Sequence, residues 1–153
     1  MKKFIALALS SVLALGAFTG CSEADLNATL VDGTYRAEFE NYDVNGWKDF
    51  VVVTVEEGEL TEVVYDSMKE NSDKLKSEDE GYKADMESIV GTYPAKYNEN
   101  LINQFLESGK VSTIDIVAGA TESTGNFKTL IMAAMENATE GETELEIVEN
   151  ISK

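Results

Sequence analysis

Histidine is absent from this chain of 153 residues, and cysteine, proline and tryptophan occur once each. Without histidine, the chain lacks the commonest general base and the commonest neutral metal ligand. A single cysteine cannot form an internal disulfide and supports no zinc site of the usual ligand types. The carboxylates are plentiful, but no spacing marks a hydrolytic pair, and no base stands in a recognisable spacing to a serine. The sequence therefore predicts a protein without reactive groups of its own.

Basic residues are also scarce, because 12 Lys and Arg stand against 29 Asp and Glu and leave a formal net charge of −17. Such a charge repels the phosphates of nucleic acid and opposes adsorption on anionic lipid headgroups. It favours solubility and cationic or neutral partners. The length and the apolar fraction of 43% are compatible with one packed domain. We therefore expect a single domain with a solvated acidic surface that does not bind nucleic acid.

Residues 1–20 have the pattern of a targeting segment. Lys2 and Lys3 give a basic start, and the apolar run 4–18 is too short and ends too abruptly for an ordinary membrane span. The run leads into Phe18-Thr19-Gly20-Cys21, which resembles a bacterial lipobox. In a lipobox the peptide is cut before the cysteine, which receives a diacylglycerol and becomes the new N-terminus. We therefore predict a lipoprotein signal peptide.

Lipidation of Cys21 would explain the position of the lone cysteine, since a free thiol is a liability in an exported protein. Two acyl chains give stable attachment because each buried methylene adds about 0.8 kcal/mol. Residues 21–30 are then a polar tether, and residues 31–153 form the domain. The predicted location is the extracytoplasmic face of the bacterial cell membrane, and the alternative is a soluble secreted protein with a stray cysteine.

The N-terminal half of the domain has the pattern of an antiparallel sheet. Residues 33–39 alternate apolar and polar side chains, residues 50–55 form a β-branched run, and residues 60–65 return after a Glu57-Gly58 turn signal. The tail over residues 145–151 is predicted either as a last edge strand or as disorder. The first strand is expected to bury one face, formed by Tyr35, Ala37 and Phe39.

The middle of the chain has helical periodicity. Residues 71–80 are charged and poor in apolar side chains, which predicts a mobile loop or a frayed helix. From Tyr82 a helix is predicted that Pro94 ends or interrupts, and a second helix over 95–107 is stopped by Gly109. The apolar face of the first comprises Met86, Ile89, Val90 and Tyr93. The apolar face of the second comprises Tyr97, Leu101, Phe105 and Leu106.

A predicted strand, a tight turn and a helix follow. An apolar run over 114–117 leads through small residues at 118–121 into a helix, and Ser123 or Thr124 supplies a hydroxyl suited to capping its first turn. Unpaired N–H groups at such a helix start stabilise an anion, phosphate above all, and Gly119 allows close approach to the backbone. The order of elements predicts an α+β fold with helices on one face of an antiparallel sheet. The helix is expected to bury Phe127, Leu130, Ile131, Ala134, Met135 and Ala138.

The sequence D-I-V-A-G-A-T over residues 115–121 resembles the flavinylation motif Asp-x-x-(Ser/Thr)-Gly-Ala-Thr of the bacterial FMN-binding domain family. The motif's aspartate, glycine, alanine and final threonine fall on Asp115, Gly119, Ala120 and Thr121. Ala118 stands where the family usually has serine or threonine. In that family a separate flavin transferase, with FAD as donor, joins the final threonine to the phosphate of FMN.

The resemblance extends beyond the motif. An opening Asp-Gly-Thr-Tyr at residues 32–35 and a helix directly after the motif are also similar to the family, so the likeness covers residues 31–138. It implies an electron-transfer flavoprotein with FMN on Thr121, because a bound flavin supplies the redox chemistry that the chain lacks. The implied partners are the flavin transferase and a membrane electron donor, either a quinol or a reductase.

Several roles stay open within this interpretation. Asp115 either assists the transferase or only shapes the turn, and Ser123 and Thr124 either bind the phosphate or only cap the helix. Contacts to the flavin ring are expected from aromatic and apolar groups near the motif, although core packing is the favoured role of each candidate. The candidates are Tyr35, Trp47, Tyr82 and Tyr93. Two other functions remain as alternatives: noncovalent FMN binding, and a lipid-anchored binding or adaptor protein without a redox role.

Overall fold

A computed structural model describes residues 28–150 of the chain. The predicted signal peptide, Cys21 and most of the predicted tether lie outside the described residues. Leu30, at the end of that tether, is only 6% exposed and belongs to the hydrophobic core. The packed structure therefore includes the residues that immediately precede the first strand.

In the part of the chain that the structure describes, the sheet has four strands in the order β3-β2-β1-β4 and is mostly antiparallel. A two-residue turn joins β2 to β3, and its residues Glu57 and Gly58 both have positive φ, 55° and 75°, as the tightest hairpin turns require. The last strand pairs parallel to β1, which confirms the edge-strand alternative for the tail. The strands are β1 (Gly33–Phe39), β2 (Trp47–Glu56), β3 (Glu59–Lys69) and β4 (Glu146–Val148).

Within residues 28–150, three α-helices and two short 3-10 helices accompany the sheet, which confirms the α+β class. Pro94 is the first residue of α2, where its missing N–H costs nothing, and Gly91 in the left-handed conformation has already ended α1. The α-helices are α1 (Glu80–Val90), α2 (Pro94–Ser108) and α3 (Thr121–Glu140). The 3-10 helices are Lys76–Glu78 and Val111–Thr113.

The core lies between the sheet and the helices α2 and α3. Cross-strand neighbours build the sheet side of the core, with Tyr35 opposite Val53 and Ala37 opposite Val51, and all four are fully buried or nearly so. Each of the six apolar residues predicted for α3 is at most 1% exposed. The helical spacing therefore identified the core helix correctly.

Three expectations from the pattern were wrong. Helix α1 buries none of its residues, and Ile89 is 80% exposed, because among the described elements this helix contacts mainly the 3-10 helix Lys76–Glu78 and does not cover the sheet. Leu106 of α2 is 44% exposed. The run 114–117 forms no strand, since Ile114 packs into the core while Ile116 is 65% exposed, and the chain passes from the second 3-10 helix into a turn.

Candidate functional site

A cavity of about 640 Å³ opens where the start of β2, helix α1 and the first turn of α3 meet. Its lining combines the turn before α3 with aromatic and polar side chains from the sheet and α1. A smaller cavity of about 320 Å³ lies between β3 and α2 and does not reach the motif. The larger cavity is therefore the one that the motif can serve.

The turn before α3 is built on Gly119. The Ala120 N–H donates to the Val117 carbonyl at 2.9 Å, and Gly119 has a φ of 82°, in the left-handed region. A Cβ added at Gly119 would lie 2.9 Å from Val90 Cβ, at the end of α1. Glycine is therefore required twice, for the backbone conformation and for the contact that holds the turn against α1.

The first turn of α3 is capped differently from the prediction. The N-cap is Ala120, which offers no side-chain hydrogen bond, and Ser123 and Thr124 lie inside the helix. The Thr124 hydroxyl donates to the Ala120 carbonyl at 2.8 Å and accepts from the Val117 N–H at 3.2 Å, so it fastens the turn to the helix. The first three amides of the helix have no intrahelical acceptor. Those residues, 121–123, line the cavity.

A buried polar network supports this helix start from below. The Asp49 carboxylate accepts hydrogen bonds from Asn126 Nδ2 at 2.8 Å and from the Ser67 hydroxyl at 2.5 Å. The Tyr65 hydroxyl lies 2.9 Å from Asp49 Oδ2 and 3.0 Å from the Ser123 carbonyl oxygen. Burial, together with the Asp49 charge, raises the pKa of Tyr65 well above its usual value. Tyr65 therefore stays a neutral donor that ties β2 and β3 to α3.

The opposite wall is aromatic and carries a buried lysine. The rings of Trp47 and Tyr82 meet edge to face with centroids 6.2 Å apart. Lys76 is 8% exposed, and its Nζ lies 4.7 Å from the Tyr82 ring centroid and 5.9 Å from that of Trp47. Met86 completes this wall from α1. The cavity thus has an apolar, polarisable side facing the open amides of α3.

Some of the site residues predicted from the sequence line the cavity, and others do not. Gly119, Ala120, Thr121 and Ser123 line the cavity, and Thr121 is exposed. Ala118 is exposed but is not among the lining residues, and Thr124 is buried behind the turn.

Asp115 stands apart from the cavity on an exposed segment. Its backbone N–H donates to Gln104 Oε1 at 2.6 Å, and its carbonyl accepts from Gln104 Nε2 at 3.4 Å. The α2 side chain therefore holds the backbone at Asp115, while the exposed carboxylate is left for solvent.

Of the four aromatic candidates, two line the cavity and two do not. Trp47 and Tyr82 line the cavity. Tyr35 is fully buried in the core, where its hydroxyl donates to the Val31 carbonyl at 2.8 Å. Tyr93 precedes α2 and has Lys83 Nζ 5.0 Å above its ring, outside the lining. Core packing, the favoured role, is therefore confirmed for Tyr35, and Tyr93 lies outside the cavity lining.

Sequence reasoning missed Asp49, Lys76 and Asn126. Asp49 lies at an inward position of β2 directly before the predicted run 50–55. No break in the apolar pattern therefore marks it in the sequence. Lys76 lies in the stretch 71–80, for which the prediction is a mobile loop or a frayed helix, and it is the first residue of a 3-10 helix there. Only long-range contacts single these residues out.

Comparison with known proteins places this α+β domain in a family of lipoproteins. The chain is 37% identical over 133 residues to the 15 kDa lipoprotein of Treponema pallidum (strain Nichols), a match that spans 84% of this chain and 94% of the relative. The chain belongs to the family of this 15 kDa lipoprotein. No protein-family model matches the chain.

The fold is shared with a crystal structure of the CPE2226 protein from Clostridium perfringens. The TM-score is 0.74 at 33% identity, and the match covers 80% of this chain and 99% of that one. Within residues 28–150 of the present chain, no helix is long and apolar enough to span a bilayer. Membership of a lipoprotein family agrees with the lipoprotein signal predicted at the N-terminus.

Proposed function

We propose that this chain is a lipid-anchored electron-transfer protein that carries FMN joined through its phosphate to Thr121. The observation that carries the proposal is the position of the Thr121 hydroxyl, exposed at the first residue of a 20-residue helix and on the wall of a cavity of about 640 Å³. Sites for small molecules and cofactors have volumes of about 300–1,000 Å³. The cavity is large enough for a flavin ring beside its attachment point.

The helix start suits the phosphate. The amides of residues 121–123 lack intrahelical acceptors, and no side chain within residues 28–150 caps them, so they are available to an anion. The helix dipole adds positive potential at the same place. Glu122 in the first turn is exposed and adds a negative charge there. A covalent bond would hold the phosphate against that repulsion.

The attachment reaction needs only a hydroxyl from this chain. In the proposed step, the Thr121 oxygen forms a bond to the phosphorus of the FMN half of FAD, the bond between the two phosphates breaks, and AMP leaves. The hydroxyl proton passes to the solvent through the transferase. The separate flavin transferase supplies the catalysis, so the attachment needs no general base from this chain. No electrons are transferred in this step.

The opposite wall suits the ring. Trp47, Tyr82 and Met86 offer polarisable apolar surface, and Asn126 and Asp49 offer polar groups on the sheet side. When bound, the flavin supplies one-electron and two-electron chemistry, while the protein holds and tunes it. These side chains would orient the ring and exclude water from its inner face.

The predicted anchor places this chemistry at the membrane. Lipidation at Cys21 would confine the domain to the extracytoplasmic face, where a quinol or a reductase can act as electron donor. Confinement on a tether raises the effective concentration of such partners. Covalent attachment suits this location, because a cofactor that dissociates outside the cell is lost.

The test is intact-mass spectrometry with peptide mapping of the mature domain, co-exported with a flavin transferase and denatured before analysis. We expect a gain of one FMN less one water on the peptide that contains Thr121. Thr121→Ala should lose the gain completely, while Thr121→Ser should keep it. Thr129→Ala is the matched control, since Thr129 is an exposed threonine of the same helix.

Two results would replace the proposal with another function. A folded, yellow domain that loses its colour on denaturation would indicate noncovalent FMN binding. A folded, colourless domain with no mass gain would favour a lipid-anchored binding or adaptor protein.

A further inference from the structure

Lys76 is a buried cation that the polar network of the site does not use. It is 8% exposed, and among the described residues its ammonium forms no hydrogen bond or ion pair. Its contacts are the faces of Tyr82 and Trp47. No fully buried side-chain nitrogen among the described residues lacks a hydrogen-bond partner, so the Lys76 ammonium keeps some exposure and is open to a ligand in the cavity that it lines.

The backbone around Lys76 is fixed by its neighbours. Leu75 bridges to Met68 at the end of β3. The Ser77 N–H donates to Asp66 Oδ1 at 3.2 Å, and the Ser77 hydroxyl donates to Asp66 Oδ2. Bonds on both sides hold the 3-10 helix against the sheet, so Lys76 is presented to the cavity by a fixed backbone.

The charges around the cavity make Lys76 distinctive. Of the described residues that line it, Lys76 alone is cationic, while Asp43, Asp49 and Glu122 are acidic. Asp43 accepts from the backbone amides of Asn45 and Trp47, and Asp49 accepts from the network beneath α3. A ligand that becomes negative inside this cavity would find one positive partner.

We propose that Lys76 stabilises the reduced flavin ring and so raises its reduction potential. This inference rests on the proposed function. Reduction adds two electrons from the membrane donor and one proton from solvent to the neutral ring, which then has one negative charge. Lys76 forms no covalent bond with the ring. It acts as a positioning charge that favours the reduced form over the oxidised form.

The test compares the reduction potentials of flavinylated variants by spectroelectrochemical titration. In Lys76→Met, we expect the preference for the reduced form to fall at least about tenfold, which lowers the midpoint by about 30 mV for a two-electron couple. Lys76→Arg should retain most of the wild-type potential, because it keeps the charge.

Lys69→Met is the matched control. Lys69 Nζ lies 4.8 Å from the same Trp47 ring, but Lys69 is absent from the cavity lining and its ammonium donates to the Asn45 carbonyl. This variant loses the same unit of charge and the same kind of ring contact. We expect its potential to change by less than a third of the change in Lys76→Met.

The outcomes separate this inference from the proposed function. No flavin on wild-type protein would overturn the proposed function and, with it, the role of Lys76. Flavin on all variants with equal potentials for Lys76→Met and Lys69→Met would overturn the role of Lys76 alone. A fall in Lys76→Arg as large as that in Lys76→Met would overturn it as well.

A second measurement uses the wild-type protein alone, so it does not depend on whether any variant folds. Acetylation of lysines, followed by peptide mapping, measures how accessible each ammonium is in the two redox states. We expect reduction to slow the acetylation of Lys76 at least threefold and to leave Lys69 unchanged. Equal rates at Lys76 in the oxidised and reduced protein would contradict the proposal.

Discussion

Helices α1 and α3 have similar patterns in the sequence and opposite environments in the structure. Both place apolar residues three and four positions apart. Helix α3 buries every apolar residue of its predicted face, whereas α1 buries none, and Ile89 is 80% exposed. Helical spacing identifies a face, but it does not identify what covers that face.

The two helices therefore have different roles in the domain. Helix α3 covers β1 and β2 and supplies the centre of the core. Helix α1 supplies Tyr82 and Met86 to the cavity and Val90 to the turn before α3. One helix therefore stabilises the domain, and the other shapes the site beside it.

The largest expected difference between the two helices is in how much a substitution lowers the global stability of the domain. Phe127 is fully buried, with ring centroids of Tyr65 and Phe105 at 5.1 and 6.5 Å. Phe127→Ala should lower the free energy of unfolding by about 3–5 kcal/mol, through lost burial and a cavity. Ile89→Ala in α1 should change it by less than about 0.5 kcal/mol. Urea unfolding followed by circular dichroism measures both.

A loss above about 1 kcal/mol in Ile89→Ala would mean that α1 belongs to the core after all. If Phe127→Ala is too unstable to purify, Phe127→Leu provides a smaller change at the same position. Its midpoint should still fall below that of Ile89→Ala.

The next contrast concerns the contact between the two helices. Gly119→Ala combines an unfavourable positive φ with a Cβ 2.9 Å from Val90 Cβ, and should cost about 1–3 kcal/mol of stability. Gly125→Ala is the control on α3, where a Cβ meets nothing within 4 Å. It should raise stability by up to about 1 kcal/mol, because alanine favours a helix over glycine.

A double variant, Gly119→Ala with Val90→Gly, separates the two causes. Removing the whole Val90 side chain, whose Cβ and Cγ2 lie 2.9 and 3.1 Å from the added Cβ, should recover most of the steric part of the loss and leave the backbone part. Full additivity of the two single changes would show that Val90 does not press on the turn.

The smallest expected difference between the two helices is in their N-terminal caps, and it depends on pH. Asp79 caps α1 by accepting from the Tyr82 N–H at 3.0 Å, and this bond, with Lys74, lowers the pKa of Asp79 below its ordinary value of 3.8. The cap is therefore fully present above that value and is lost as pH falls through the lower folded pKa. Helix α3 has no carboxylate cap.

Amide hydrogen exchange and proton NMR in acid should detect the difference. The Tyr82 amide signal should titrate with a pKa below 3.8, and Asp79→Asn should abolish that titration. The buried Thr124 amide of α3 should show no matching step. A Tyr82 signal that titrates above 3.8 would contradict the capping geometry.

Much of the fold could be predicted because local pattern and long-range packing agree there. The strand over 33–39 and the helix that buries Phe127 are such cases. The prediction of a strand over 114–117 failed because apolar side chains alone do not make a strand: Ile114 packs into the core, whereas Ile116 is 65% exposed, and the chain leads into the turn before α3. Pattern alone does not reveal which of these side chains the core takes up.

The site was only partly predictable for the same reason. Gly119 and Thr121 stand in a contiguous motif, so the sequence placed them together. Lys76 reaches the cavity only because Asp66 holds its neighbour Ser77 against the sheet, 11 residues away along the chain. Nothing in a charged, apolar-poor stretch indicates such a contact.

The connection at the far end of α3 sets how the domain stands on a membrane. The Val31 N–H donates to the Ala138 carbonyl at 2.9 Å, so the chain enters the fold at the C-terminal end of the helix that begins with Thr121. A 20-residue helix is about 30 Å long. With the proposed anchor at Cys21, covalent geometry limits the tether to Val31 to about 35 Å. The longest tether and helix α3 are then nearly equal in length. With α3 perpendicular to the membrane, Thr121 lies at the end of the domain far from the bilayer. With α3 parallel to the membrane, Thr121 can reach the lipid surface.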